Sequence, residues 1–318
     1  TYCEHGGGYY AGGLGVHLDL DWGVPDLTDP DQISIWGIAH EYGHINQIRP
    51  DLKWIGTTEV TTNIYSAWVD YHLDNGNNEY TRLEDESVTP AAGIPSITGG
   101  RINGALYNTL ISGLALQDIT NYDVFKVLVP FWQLEIYYSL AGASRNAPIL
   151  SFDYPTNYQG KDYAHWFGDV AEIARTSNTN GLTNGEHLIN FVKNTCDAVE
   201  ENLIPFFQST GFLKPIDVPI DDYGVEQLTV TQTMIVDVIA YVEGKNYDNP
   251  VSPVIHYASA HSVEMYNSQL PLSGITGTGF TMNGNYLTID HAEWHNAVAY
   301  ETYDSSNVLI YVSMTGSG

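Results

Sequence analysis

Ile35-Trp36-Gly37-Ile38-Ala39-His40-Glu41-Tyr42-Gly43-His44-Ile45-Asn46-Gln47 decides the reading of this chain, because it places His-Glu-x-x-His inside an apolar run with helical spacing. Residues four apart on an α-helix share a face, so His40 and His44 can aim two imidazole nitrogens at one point. Glu41 then lies about 100° round the helix from His40, beside that point rather than on it. Two imidazoles with a carboxylate alongside make the arrangement of a zinc hydrolase, in which the Glu takes a proton from a zinc-bound water.

A zinc ion in such a site needs a third protein ligand, and the candidate is Glu59, fifteen residues after His44. Arg49-Pro50-Asp51 reads as a helix stop and Gly56 as part of a turn, after which a second helical run begins. Two antiparallel helices, expected over about 30–48 and 57–73, would return Glu59 to the His pair. Asn63 is one turn beyond Glu59 on the same face, where it suits a hydrogen bond from the outer nitrogen of a ligand His.

By average residue usage, His-Glu-x-x-His arises by chance in roughly one chain in a hundred of this length, so context has to support it. Asp29-Pro30-Asp31-Gln32 supplies an N-cap, a Pro at the first helical position and a Gln three after the cap. Ile33, Ile35, Trp36, Ile38, Ala39, Ile45 and Ile48 then surround the helix almost completely, the pattern of an interior helix. Burying two His and a Glu there without a metal would be costly.

On these residues the sequence resembles the M60-like, enhancin-type zinc metallopeptidases, a gluzincin group with His-Glu-x-x-His and a downstream Glu ligand. The resemblance takes in Trp36, Gly43, Asn46 and Gln47 around the motif and Glu59-Val60-Thr61-Thr62-Asn63-Ile64 on the second helix. It continues through Phe131-Trp132-Gln133-Leu134, Asn202-Leu203-Ile204-Pro205-Phe206-Phe207 and Gly211-Phe212, covering roughly residues 5–215. The resemblance implies action on mucins and other O-glycosylated proteins, several members cutting next to a glycosylated Ser or Thr. The family's domain carries more sheet before its metal helix, whereas this chain opens at Thr1 and reaches that helix by about residue 30. The expectation is a fragment or processed piece.

With 11 Lys and Arg against 38 Asp and Glu, the formal charge is −27. A nucleic-acid partner is excluded by that balance, since a polyanion needs a basic face and these cations are scattered. No apolar run approaches the length of a membrane span, and no signal peptide is visible. A secreted or cell-surface product is expected. Cys3 and Cys196 are far apart in sequence and do not by themselves predict a bridge. The 23 Tyr and 7 Trp residues are numerous, and core packing is the default role for each.

Before the motif, Val16, Leu18 and Leu20 alternate with His17, Asp19 and Asp21, which is strand periodicity. A strand just before the metal helix is placed to pair with extended substrate, making His17 and Asp19 candidate substrate-binding residues. Asp74-Asn75-Gly76-Asn77-Asn78-Glu79 reads as a plain turn, because it lacks the full EF-hand pattern for calcium. A Gly/Pro loop follows over 90–104. Helices are expected over about 103–117, 122–141, 160–175, 185–201 and 225–243, the second with Phe125, Leu128, Val129, Trp132, Ile136 and Leu140 in the core and Pro130 as a kink or boundary. Tyr137 and Tyr138 could offer a phenol to an oxyanion, but spacing selects neither.

After Asn249-Pro250-Val251-Ser252-Pro253, short alternating runs over 254–258, 280–282, 286–289, 297–303 and 308–312 read as a small β module. Its His291-Ala292-Glu293-Trp294-His295 repeats the spacing of the motif in strand-like sequence, where positions four apart are too distant to share an ion. The fold expected is α+β: a zincin-like metallopeptidase core over 1–250, mostly helical after the metal site, then a β-sandwich-like module over 251–318. The function expected is a zinc endopeptidase of mucin-type glycoproteins, with His40, His44 and Glu59 on zinc and Glu41 as base. The alternatives are a glycan-binding or adhesion module with a structural zinc, and a zinc peptidase indifferent to glycan. A structural zinc would fill its fourth position with protein, usually Cys, and neither Cys is near the motif.

Overall fold

The computed structural model describes residues 2–4, 10–12, 15–19, 35–73, 82–84, 100–119, 123–142, 165–284 and 286–314. The Asn-rich turn at 74–79, most of the loop at 90–104 and the expected cap at Asp29 lie outside them.

The motif lies on helix α1, Ile35–Asn46, and Glu59 on helix α2, Thr58–Leu73. The helices run antiparallel, since Gly43 approaches Thr62 while Gln47, just past the end of α1, bonds Thr58 and Thr61, earlier on α2. The all-round burial expected of α1 is only half realised: Trp36 and Ala39 are buried, whereas Tyr42 and Ile45 are exposed. By contrast α2 buries most of its length, including Val60, Ile64 and Ala67.

The link between these helices is fixed by the core rather than left as a surface loop. Trp54 packs against Phe131 and Phe191, whose rings are themselves 4.9 Å apart and contact Phe212. Such aromatic pairs contribute about 0.5–1.5 kcal/mol each beyond their buried area. The polar tip of Trp54 is satisfied as well, its Nε1 donating to Gln117 Oε1 at 2.8 Å while Gln117 Nε2 donates to the carbonyl of Ile55 at 2.9 Å.

Phe131 belongs to α4, Val124–Leu134, which packs on α2 and on α3, Gly100–Leu106. Asp123 caps α4 by accepting from the Phe125 amide. Pro130, expected as a kink or boundary, lies inside α4. The change of geometry comes later, where the helix widens to π-helical turns over Glu135–Leu140. Tyr137 and Tyr138 are fully buried there, with Tyr138 donating to Glu201 Oε2 at 2.7 Å and Tyr137 OH accepting from the Ser252 amide. Both are core residues, so neither phenol is available to an oxyanion. Helices α5, Trp166–Thr176, α6, Asn184–Val199, and α7, Ile204–Ser209, complete the aromatic core. Cys196 is a free thiol buried in it.

The helix expected over 225–243 is corrected to a hairpin followed by a helix. Strands β4, Ile216–Asp221, and β5, Val225–Val230, pair in register from Ile216 opposite Val230 to Asp221 opposite Val225. Thr231 then caps α8, Gln232–Lys245. The alternation of Ile216, Val218 and Ile220 carries the strand, and the Asp222-Tyr223-Gly224 turn closes it.

The N-terminal strands, β1 Tyr2–Glu4, β2 Tyr10–Gly12 and β3 Gly15–Asp19, form a sheet in the order β1-β3-β2. Strand β3, expected to lie along extended substrate, is already paired within the chain. It is the middle strand, with His17 and Asp19 opposite Tyr2 and Glu4 of β1 and His17 and Val16 opposite Tyr10 and Ala11 of β2. Among the described residues His17 is paired on both sides, whereas Asp19 is paired with β1 alone.

The C-terminal residues are less separate than a β-sandwich would be. The strand expected over 254–258 is a 3-10 turn at Ile255–Tyr257, whose Ile255 and Tyr257 are buried in the common core. Gln133 Nε2 donates to the carbonyl of His256, and Asn103 Oδ1 accepts from the Met314 amide at 3.1 Å. The short helix α9, Val263–Asn267, follows the turn. Four strands then pair as β6 Ser273–Gly274 with β9 Trp294–His295, and β7 Phe280–Asn283 with β8 Tyr286–Ile289. Strands β10, Ala299–Tyr303, and β11, Leu309–Met314, pair with each other. Two-stranded ribbons, not two facing sheets, make up this region among the described residues.

Glu135 gives the core a titratable weak point. It is wholly buried, and burial pushes its carboxyl from 4.5 up to about 7 although Ser139 and the Trp166 indole at 2.6 Å pull it back. Between those values the folded chain holds a proton that the unfolded chain has released, so stability falls as pH rises through this window. The loss is on the order of 3 kcal/mol. Glu135→Gln keeps an oxygen for Trp166 and removes the titration. Melting temperatures at about pH 5 and about pH 8 are expected to converge in the variant and separate in the wild type.

Candidate metal centre

His40 Nε2 and His44 Nε2 lie 3.1 Å apart, and Glu59 Oε2 lies 3.0 Å from the first and 3.5 Å from the second. Among the described residues this is the one group of three or more His, Cys, Asp or Glu side chains whose ligand atoms converge. All three side chains are partly exposed, so the point they face opens to the surface.

The outer ring nitrogens show what the inner ones present. His40 Nδ1 is 2.7 Å from Asn63 Oδ1, and Asn63 Nδ2 donates to the carbonyl of Glu59 at 2.7 Å, which fixes the amide's orientation. Gln47 does the same for His44: its Oε1 is 3.0 Å from His44 Nδ1 while its Nε2 donates to the Thr58 carbonyl and to Thr61 Oγ1. An amide oxygen only accepts, so each Nδ1 carries the hydrogen and each Nε2 directs a lone pair inward. Two nitrogen lone pairs and a carboxylate oxygen facing one another repel unless a cation lies between them. Ligand atoms about 2.0–2.2 Å from a tetrahedral zinc stand about 3.3 Å apart, close to the spacing of these three. The donor set fits the ion.

Charge at the site follows the same geometry. Burial would lower His40, but the Glu59 carboxylate and Asn63 outweigh it and raise it. Burial would raise Glu59, but with no ion between them the neighbouring His40 and His44 rings, together with the Tyr223 hydroxyl, hold it well below the usual carboxylate range. Glu41, one position after His40 and 6% exposed, lies within electrostatic reach of both His40 and Tyr223.

Close approach of α1 and α2 makes the convergence possible. A Cβ on Gly43 would sit 2.5 Å from Thr62 Oγ1 and 2.6 Å from the Thr62 carbonyl. Thr62 Oγ1 in turn donates to the carbonyl of His40, joining the two backbones beside the ligands.

Sequence reasoning missed the β4–β5 turn. Asp222 Oδ2 accepts from the Gly56 amide at 2.8 Å and the Thr58 amide at 3.1 Å, satisfying backbone donors at the start of α2. Tyr223 OH donates to Glu59 Oε1 at 2.8 Å, a bond that pushes the phenol up to about 12 and leaves it protonated at neutral pH. The turn residues flanked by alternating runs would have located the hairpin, but nothing local places its tip on Glu59, 164 residues away. The partnership of Gln47 with His44 was open to a spacing argument, since three residues apart is one helical turn. His295 lies in β9 and His291 opens a 3-10 turn, so this second pair does not share a helix face.

Comparison with known proteins gives a consistent picture. The model of the peptidase M60, enhancin and enhancin-like family matches residues 14–211. A search of the curated proteins finds no match. A solved metallopeptidase in complex with Tn antigen is 20% identical with a TM-score of 0.65, over 97% of this chain and 55% of that one. A metallopeptidase from Bacteroides thetaiotaomicron is likewise 20% identical with a TM-score of 0.65, over 97% of this chain and 50% of that one. At this identity the likeness is one of fold, and the chain spans about half the length of these relatives.

The approach at Gly43 can be tested through the metal. In Gly43→Ala the added methyl must drive α1 from α2, an overpacking cost of about 1–3 kcal/mol. Zinc affinity, measured by competition with a chelator, is expected to fall by roughly tenfold or more, while Gly168→Ala, which meets nothing within 4 Å, leaves it unchanged.

Proposed function

The chain belongs to the peptidase M60, enhancin and enhancin-like family, and from that premise we propose that it is a zinc-dependent endopeptidase of mucin-type O-glycosylated proteins. The observation that carries the reading is the convergence of His40 Nε2, His44 Nε2 and Glu59 Oε2, with the Glu41 carboxylate on the adjoining residue of the same helix. Three protein ligands leave a fourth position for water or substrate, the mark of a catalytic rather than a structural site.

A zinc ion held there supplies Lewis-acid chemistry, polarising a scissile carbonyl and making a water easier to deprotonate. Glu41 takes the proton of the attacking water at its carboxylate and delivers it to the leaving amine. Asn63 and Gln47 hold the two rings with their Nε2 atoms inward, so His40 and His44 lose little freedom on binding.

The glycoprotein substrate is supported by the family resemblance and by the relative solved with Tn antigen. Mucin-type substrates are displayed outside cells, and a secreted or cell-surface location follows from that reading.

The test is mass spectrometry of a mucin-type O-glycopeptide and its deglycosylated twin after incubation with the zinc-loaded protein. Cleavage of the glycosylated peptide alone is expected; cleavage of both would remove the glycan from the proposal. Glu41→Gln is expected to keep its zinc and lose activity by about 10²–10⁴-fold. A Glu41 variant that cuts at the wild-type rate would overturn the role given to Glu41.

A further inference from the structure

The two oxygens of Glu59 are treated differently. Oε2 faces the two imidazole nitrogens, whereas Oε1 accepts the Tyr223 hydroxyl at 2.8 Å. A carboxylate free of such a partner can turn both oxygens towards a cation and occupy two coordination positions. With Oε1 engaged, one oxygen remains for the ion.

Tyr223 is an unusual choice for its position. Its φ of +60° is left-handed, a conformation that costs an L side chain roughly 1–2 kcal/mol and that Gly or Asn would adopt more cheaply. The residue is 85% exposed, so burial of its ring does little to offset that cost. The turn that carries it is nevertheless firmly placed. Asp222 accepts two amides at the start of α2, and Ile220 is buried on the side of Gly56. Further back, Asn184 ties β5 to the link before α2, accepting from the Ile55 amide and donating to Glu226 Oε2 and the Gln227 carbonyl. Strain held in place by surrounding structure, with a phenol delivered to a metal-ligand candidate, is how a positioning residue is built.

We infer that Tyr223 is a positioning residue that holds Glu59 in one-oxygen coordination, so that a bound metal keeps three protein ligand atoms and one solvent position rather than gaining a fifth ligand. The inference rests on the zinc reading of His40, His44 and Glu59. It assigns to a hairpin 164 residues away from Glu59 a part in setting the coordination number.

Three forms of the full chain decide it: wild type, Tyr223→Phe, which removes only the hydroxyl, and Tyr223→Gly, which also relieves the backbone. Zinc affinity is read by chelator competition, and coordination by the visible absorption of the cobalt-substituted proteins, which is more intense for four ligands than for five. Both variants are expected to bind zinc roughly 10–100-fold more weakly and to show the weaker five-coordinate cobalt spectrum. Tyr223→Gly is expected to melt at or above the wild-type temperature, an outcome opposite to that of a residue kept for stability. Wild-type affinity and an unchanged cobalt spectrum in Tyr223→Phe would overturn the inference while leaving the zinc site standing. A wild-type protein that binds no zinc would overturn the zinc reading, and this inference with it.

Discussion

The site depends on how closely two helices approach. Three lone-pair atoms can converge within 3.5 Å only if the backbones that carry them are almost in contact, and the chain achieves this where Gly43 faces Thr62. With any other residue at 43, a Cβ would occupy the space of the Thr62 hydroxyl and carbonyl. The hydroxyl of Thr62 then satisfies the His40 carbonyl, so the contact that permits convergence also fixes the register of the helices.

The remainder of the fold holds this contact from outside. Residues between α1 and α2 form a tied link, with Trp54 sunk among Phe131 and Phe191 and its indole bound to Gln117. Helix α4 supports α2 from beneath, and the β4–β5 turn covers the start of α2 through Asp222. The metal ligands are therefore partly exposed while the backbone that presents them is anchored in buried structure. A site can open to substrate without becoming loose when those two properties are separated in this way.

How much of this was legible in the sequence depended on distance along the chain. The His pair, Glu59 and Asn63 could be placed together because helical periodicity and a short link are local constraints, and the structure brings their side chains within hydrogen-bonding range. The apolar face of α4 and of the π-helical turns after it was readable by the same periodicity, with Leu128, Val129, Trp132, Ile136 and Leu140 buried and Phe125 only partly so. Pairing between distant strands was not. Periodicity identified β3 as a strand but carries no information about its neighbours, and β3 proved to be central rather than an edge. Residues 254–258 alternate like a strand, yet tertiary packing against α4 and α7 settles Ile255–Tyr257 as a turn with Ile255 and Tyr257 buried. Tyr223 was indistinguishable from the other tyrosines because its role is defined wholly by a contact across 164 positions.

Helix register also explains why the rings at the site are held by amides. Asn63 accepts from His40 and donates to the Glu59 carbonyl, while Gln47 accepts from His44 and donates to the Thr58 carbonyl and to Thr61. Each amide therefore joins a candidate ligand ring on α1 to the backbone of α2, and both of its ends are used. A hydroxyl could rotate between partners, and a carboxylate could turn either oxygen to the ring, but an amide with its NH₂ committed to a carbonyl has only one orientation left. The tautomer of each His is then a consequence of where α2 lies. A slide or turn of α2 by one residue would misplace Glu59, break both amide bridges and leave the Nδ1 hydrogens without acceptors. The geometry of the candidate centre is encoded less in the three ligand residues than in the single register of two helices.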